Sequence, residues 1–136
     1  MKVYHGSPKK IEVLIPKQAK GHNGFQNLEA VFLTDNFLEA SLYAIGKSLK
    51  GKAHFGIQKG KLVIIGNAST ASEGYVYEFD LPESELIKGE QKEDLGVYAY
   101  QNTLICQDPK IVKIEEIQSY IIYVKNKNEL MQVLYS

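Results

Sequence analysis

The chain has 136 residues, 44% of them hydrophobic and 24% charged, with sixteen acids against sixteen bases; this is the profile of one globular domain long enough to bury a core, with neither a bulk basic field for nucleic acid nor an acidic tail. All sixteen bases are lysine, so any phosphate must be held by ammonium point charges or backbone N–H groups rather than by the bidentate fork of arginine. Cys106 is the single cysteine, which excludes an internal disulfide and CxxC motifs, and there is neither a signal-peptide pattern nor an apolar run of bilayer length; the expectation is a cytoplasmic protein with no membrane partner.

In chain order, a strand over residues 2–5 delivers His5 into a Gly6-Ser7-Pro8 turn. Gly6 lets backbone approach a ligand closely because it has no Cβ, Ser7 adds a hydroxyl, and Pro8 stiffens the exit. An imidazole in that position exchanges hydrogen bonds with a ligand hydroxyl near neutral pH. The same residues also read as an ordinary strand end with a half-exposed histidine. Residues 9–16 alternate Ile11, Val13 and Ile15 in extended spacing and close at Pro16. Residues 17–27 form a polar loop holding His22, which reads as solvated, and Phe25, which either anchors the loop or flanks a pocket.

Residues 30–34 (AVFLT) are a short buried strand, after which Thr34 or Asp35 is placed to cap a helix over residues 36–47 with Phe37, Ala40, Leu42, Tyr43 and Ala44 at amphipathic spacing. Residues 50–60 read as a loop or hairpin turn, 61–65 as a strand, and 66–74 as a small, polar loop. Residues 75–81 alternate Tyr75, Tyr77, Phe79 and Leu81 on one face with Val76, Glu78 and Asp80 on the other, a strand with one buried face. A charged loop (88–96), an extended segment (97–106) and strands at 110–117 and 120–124 follow. Asn126 or Asn128 then caps a short C-terminal helix. Six or seven strands to two or three helices, with strands dominating the second half, indicate an α+β fold with antiparallel or mixed sheets.

Three pieces in this order resemble the ADP-ribosyltransferase superfamily, in the branch of the poly(ADP-ribose) polymerases and diphtheria-type toxins. The first is Tyr4-His5-Gly6-Ser7. The second is Phe32 on a strand and Tyr43 on a helix eleven residues later, where the family has two tyrosines. The third is Tyr100-Gln101-Asn102-Thr103-Leu104-Ile105, where the family has a glutamate before an apolar pair. The resemblance covers residues 3–124 and implies mixed or antiparallel sheets around a cleft for NAD. His5 would bond the ribose hydroxyl, the backbone of Gly6 would hold the carboxamide beside Ser7, and Tyr43 would stack on the nicotinamide, with Phe32 in the place of the family's first tyrosine.

Two positions depart from the family pattern. Phe32 stacks but has no hydroxyl, and Asn102 stands in the place of the catalytic glutamate. Cleavage of the ribose–nicotinamide bond passes through an oxocarbenium-like state that a carboxylate stabilises, and an amide carries no charge and is no base. No glutamate occurs from Leu95 to Ile114, so a small alignment shift does not restore one. The resemblance therefore implies binding of NAD, ADP-ribose or a related nucleotide, with weak or lost transfer. An active enzyme that recruits Glu90, Glu93 or Asp94 from the preceding loop, with a protein or nucleic-acid acceptor, and an interaction module with a vestigial cleft remain the alternatives.

Overall fold

The structure, a computed structural model, describes residues 1–58, 60–66 and 73–135. β1 (Lys2–Ser7) is its central strand. It pairs with β7 (Glu73–Asp80) along its whole length, from Lys2↔Asp80 to Ser7↔Tyr75, and β7 pairs in turn with β11 (Lys110–Lys113). On its other edge β1 meets β4 (Glu29–Thr34) at one register pair, Tyr4↔Thr34. Beyond that pair the two strands part. The far end of the same β4 edge is taken by β3 (Lys17–Gln18), through Lys17↔Ala30 and Gln18↔Glu29. β4 continues the sheet outward to β9 (Val97–Tyr100) and β8 (Leu86–Lys88). All of these pairs are antiparallel, and the sheet they form is split between β1 and β4.

α1 (Phe37–Ser48) lies across β1 and β7. Asn36 starts it, its Oδ1 accepting from the Glu39 N–H at 3.1 Å, and so satisfies one of the helix's orphan donors. Ala40, Leu42, Ile45 and Leu49 are buried and meet Val76 and Val112 of the large sheet on one side. On the other side the same core takes in Leu62 and Ile64 of β6 (Lys61–Ile65) together with Phe55 and Ile57 of β5 (Phe55–Gln58). β12 (Ile121–Val124) pairs parallel with β6, and α2 (Lys127–Leu134) covers the outside of this second sheet through Leu130 and Leu134 against Val63 and Val124. α1 is therefore the layer between two sheets. The opposite face of the large sheet is closed by a ribbon of β2 (Val13–Leu14) and β10 (Leu104–Ile105), whose Leu14 and Leu104 join Val3, Val31 and Leu33.

The coarse class read from the sequence holds: the fold is α+β with mostly antiparallel sheets. Several local readings change. β1 runs through Gly6 to Ser7 rather than ending at His5. The loop expected before residue 61 contains β5, which turns into β6 at Gly60, where φ is +82° and a side chain would be strained. The strand expected over 110–117 stops at Lys113. A 3-10 segment, Ile114–Tyr120, follows, begun by the Glu116 carboxylate accepting from the Lys113 N–H at 3.0 Å. β7 is covered on both faces at its start, since Val76 is buried under α1 while Tyr77 is buried on the other side, where its hydroxyl accepts from the Ile11 N–H at 2.9 Å. Of the loop expected over 66–74, residues 67–72 lie outside the described residues.

Two glycines set how closely α1 sits on the sheet. A Cβ at Gly6 would overlap the carbonyl oxygen of Ala40 and come within 3.1 Å of the Ala44 nitrogen, and one at Gly74 would lie 2.6 Å from Ala44 Cβ. The helix backbone cannot yield as a flexible side chain does, so Gly6→Ala should destabilise the fold by about 1–3 kcal/mol. Gly24→Ala, where a Cβ meets open space and φ is −60°, should change stability by no more than about 0.5 kcal/mol. Urea titration of the two variants checks this; equal midpoints would show that the helix does not rest on Gly6.

Candidate functional site

Where β1 and β4 part, they open a cleft of about 850 Å³. Its floor is the β1 stretch from Tyr4 to Ser7, one wall is β4, another is the exposed side of α1, and the rim is made by the loop around Phe25 and by residues 93–97. Past Tyr4, no described strand pairs with the β4-facing edge of β1. Backbone polar groups along such an edge need partners, and a ligand in the cleft is placed to supply them.

His5 stands at the split. Its Nδ1 lies 3.4 Å from the carbonyl oxygen of Phe32, and because a carbonyl only accepts, the bonded form carries its proton on Nδ1 and leaves the Nε2 lone pair available. Burial lowers the pKa of the ring, opposed only in part by the Phe32 hydrogen bond, so the neutral imidazole is favoured. The bond spans the gap that the missing β1–β4 ladder leaves.

Of the residues singled out from the sequence, His5, Gly6, Ser7, Phe32 and Tyr43 all line this cleft. They do so in different ways. Gly6 is required by the approach of Ala40, so its small size serves helix packing. Ser7 is buried, and its hydroxyl is already committed: Oγ donates to the Lys9 carbonyl at 2.7 Å and accepts from the Lys9 N–H at 3.3 Å, closing the turn. Phe32 packs edge-on against Phe25, with ring centroids 5.6 Å apart, so Phe25 both anchors its loop and flanks the pocket. Tyr43 is 48% exposed, and Lys47 sits over its ring, 5.3 Å from the centroid.

Asn102 is not among the cleft-lining residues. β9 ends at Tyr100, and the chain turns through exposed Gln101, Asn102 and Thr103 so that Leu104 can enter the core and pair with Leu14. That turn carries Asn102 outward into solvent. Four other residues bring carboxylates to the lining: Asp35, Glu39, Glu93 and Asp94. Asp94 is 4% exposed and accepts from Asn23 Nδ2 at 2.8 Å and from Gln26 Nε2 at 2.7 Å, so it ties the two rim loops together. Glu93 receives a longer bond from the same Asn23, 3.4 Å. Glu39 was not singled out from the sequence, although its place four residues before Tyr43 puts both on one helix face. Its Oε1 accepts from the Gly60 N–H.

Cys106 is buried with its thiol pKa pushed up by burial, and it does not line the cleft. No group of three or more His, Cys, Asp and Glu residues among the described residues is arranged to hold a metal, and no described helix is long and apolar enough to cross a membrane. No protein-family model matches the sequence, no curated protein matches it, and no solved structure matches the fold.

The lowered pKa of His5 has a signed consequence for stability. The unfolded chain takes up the proton near pH 6.5 and the folded one at lower pH, so the contribution of neutral His5 is complete above about pH 6.5 and is lost as pH falls through the folded value. Wild-type protein should therefore lose more melting temperature between pH 7.5 and 5.0 than His5→Gln does, since both share every carboxylate. Parallel melting curves by circular dichroism check this; identical shifts would show that His5 does not titrate with folding.

Proposed function

We propose that the cleft binds NAD, ADP-ribose or a closely related nucleotide in the manner of ADP-ribosyltransferases, with transfer weak or lost. The observation that carries the reading is the split sheet with His5 bridging it. A neutral imidazole fixed by Phe32 turns an Nε2 acceptor toward a space of nucleotide size, which is the arrangement a ribose hydroxyl needs in order to donate. Tyr43, in the same cleft, offers a half-exposed aromatic face to the nicotinamide, and the unpaired edge of β1 at Gly6 offers main-chain groups to the carboxamide. Lys17 is the one ammonium among the described lining residues, and it is the partner for the pyrophosphate as a point charge.

The expectation of weak turnover rests on the carboxylates. An enzyme of this chemistry needs a charged oxygen held where positive charge develops on the ribose. Asp94 and Glu93 are bonded to the rim amides, Glu39 is bonded through one oxygen to the Gly60 backbone, Asp35 is exposed with no hydrogen bond among the described residues to fix its carboxylate, and Asn102 lies outside. None of the four lining carboxylates is tied to His5 by a hydrogen bond.

The test is calorimetric titration of NAD and ADP-ribose into wild type, His5→Ala and Tyr43→Ala, with nicotinamide release measured alongside. Wild type should bind both ligands. His5→Ala should weaken both by about tenfold, the worth of one hydrogen bond at about 1.4 kcal/mol. Tyr43→Ala should weaken NAD more than ADP-ribose, which has no nicotinamide. Nicotinamide release should be slow in wild type and unchanged in Asn102→Glu, because that side chain points away from the cleft. Robust turnover indifferent to His5→Ala, or no binding of either nucleotide, would overturn the reading.

A further inference from the structure

Glu39 and Tyr43 make a pair that the family resemblance did not contain. They stand one helical turn apart on α1, with about 5–6 Å between their Cβ atoms, and both line the cleft. Glu39 is held rather than loose: its backbone N–H is bonded by the Asn36 cap and its Oε1 accepts from the Gly60 N–H. Among the described residues its Oε2 has no hydrogen-bond partner. Tyr43 already carries a cation on its ring, the Lys47 ammonium, and Lys47 does not line the cleft. A partly buried carboxylate one helical turn from an aromatic side chain, both on one wall of the cleft, suits a flat organic cation, since the negative ring face and the anion attract the same charge.

In NAD the nicotinamide ring carries that charge when oxidised and loses it when reduced. We propose that Glu39, acting with Tyr43, makes the cleft selective for the cationic pyridinium, so that it takes NAD+ and discriminates against NADH. The inference rests on the nucleotide reading above and adds the redox form of the ligand. The rest of the ligand is common to both forms, so the discrimination comes from the ring alone. A carboxylate beside the ring stabilises the charge where it stands in the ground state, before it passes to the ribose. It therefore raises affinity without promoting cleavage, in keeping with a binder.

The experiment is titration of NAD+, NADH and ADP-ribose into wild type and Glu39→Gln. Glutamine keeps an acceptor for Gly60 and removes the charge. Wild type should bind NAD+ about tenfold or more tightly than NADH, a difference of about 1.4 kcal/mol. In Glu39→Gln the ratio should fall below about threefold, equivalent to about 0.65 kcal/mol, through weaker NAD+ binding. ADP-ribose affinity should be the same in both proteins, which also shows that the variant is folded. Equal binding of NAD+ and NADH by wild type, or a preference that Glu39→Gln leaves intact, would overturn the inference while nucleotide binding stands. Failure of all three ligands to bind wild type would overturn both.

Discussion

The parting of β1 from β4 is the constraint on which the rest of the molecule turns. One register pair, Tyr4↔Thr34, joins the halves of the large sheet; past it the halves are held by the Nδ1–H of His5 reaching the Phe32 carbonyl. A full ladder between the strands would satisfy the same groups with no cavity. The split persists because each half is anchored elsewhere: β1 is zipped to β7 over six register pairs, and β4 to β9 over four. β3 takes the vacated far end of β4, so the edge is capped where it would otherwise be exposed.

α1 is the second determinant, because it supplies one wall of the cleft and fills the layer between the two sheets. Its inner face is set by Ala40 and Ala44 over Gly6 and Gly74, small residues facing small residues, which brings the helix axis close to β1. That closeness puts Glu39 and Tyr43, on the neighbouring side of the helix, at the cleft rather than above it. Packing and site geometry thus share one cause. The rim is stiffened separately by Asp94, whose two amide donors come from the loop that carries Phe25. A buried carboxylate with one partner removed is costly, which gives Asn23 and Gln26 a role in holding the mouth of the cleft.

Much of this was legible in the sequence where apolar periodicity was strong. The strands at Val3, at Val31–Leu33 and at Tyr75–Phe79 and the helix through Leu42 and Ile45 follow from alternation or helical spacing, and Asn126 was one of two named caps for α2. The losses have physical reasons. Gly56 hides β5 from propensity, and a glycine is there because Leu134 packs onto it. The two-residue strands β2 and β3 are too short for any period to register. Lys110–Lys113 looks continuous with the residues after it until Glu116 bonds back to Lys113 and winds the chain. Gly6 and Ser7 line the cleft as read, but the missing Cβ of Gly6 makes room for Ala40 and Ser7 spends its hydroxyl on Lys9. Asn102 was aligned by its neighbours in sequence, and the turn into β10 carries it away. Glu39 was visible in principle as the i−4 neighbour of Tyr43; nothing in the sequence distinguished it from a solvated glutamate in a first helical turn.

The central claim is that His5, poised across the split, is the ligand's hydrogen-bond partner. A crystal structure of the protein soaked with NAD tests it most directly. The account predicts the nucleotide in the gap between β1 and β4, with a ribose hydroxyl within hydrogen-bonding distance of His5 Nε2, the Nδ1 bond to Phe32 retained, and the nicotinamide against Tyr43. NAD bound away from the split, or bound there with His5 Nε2 turned to a protein partner instead, would contradict it.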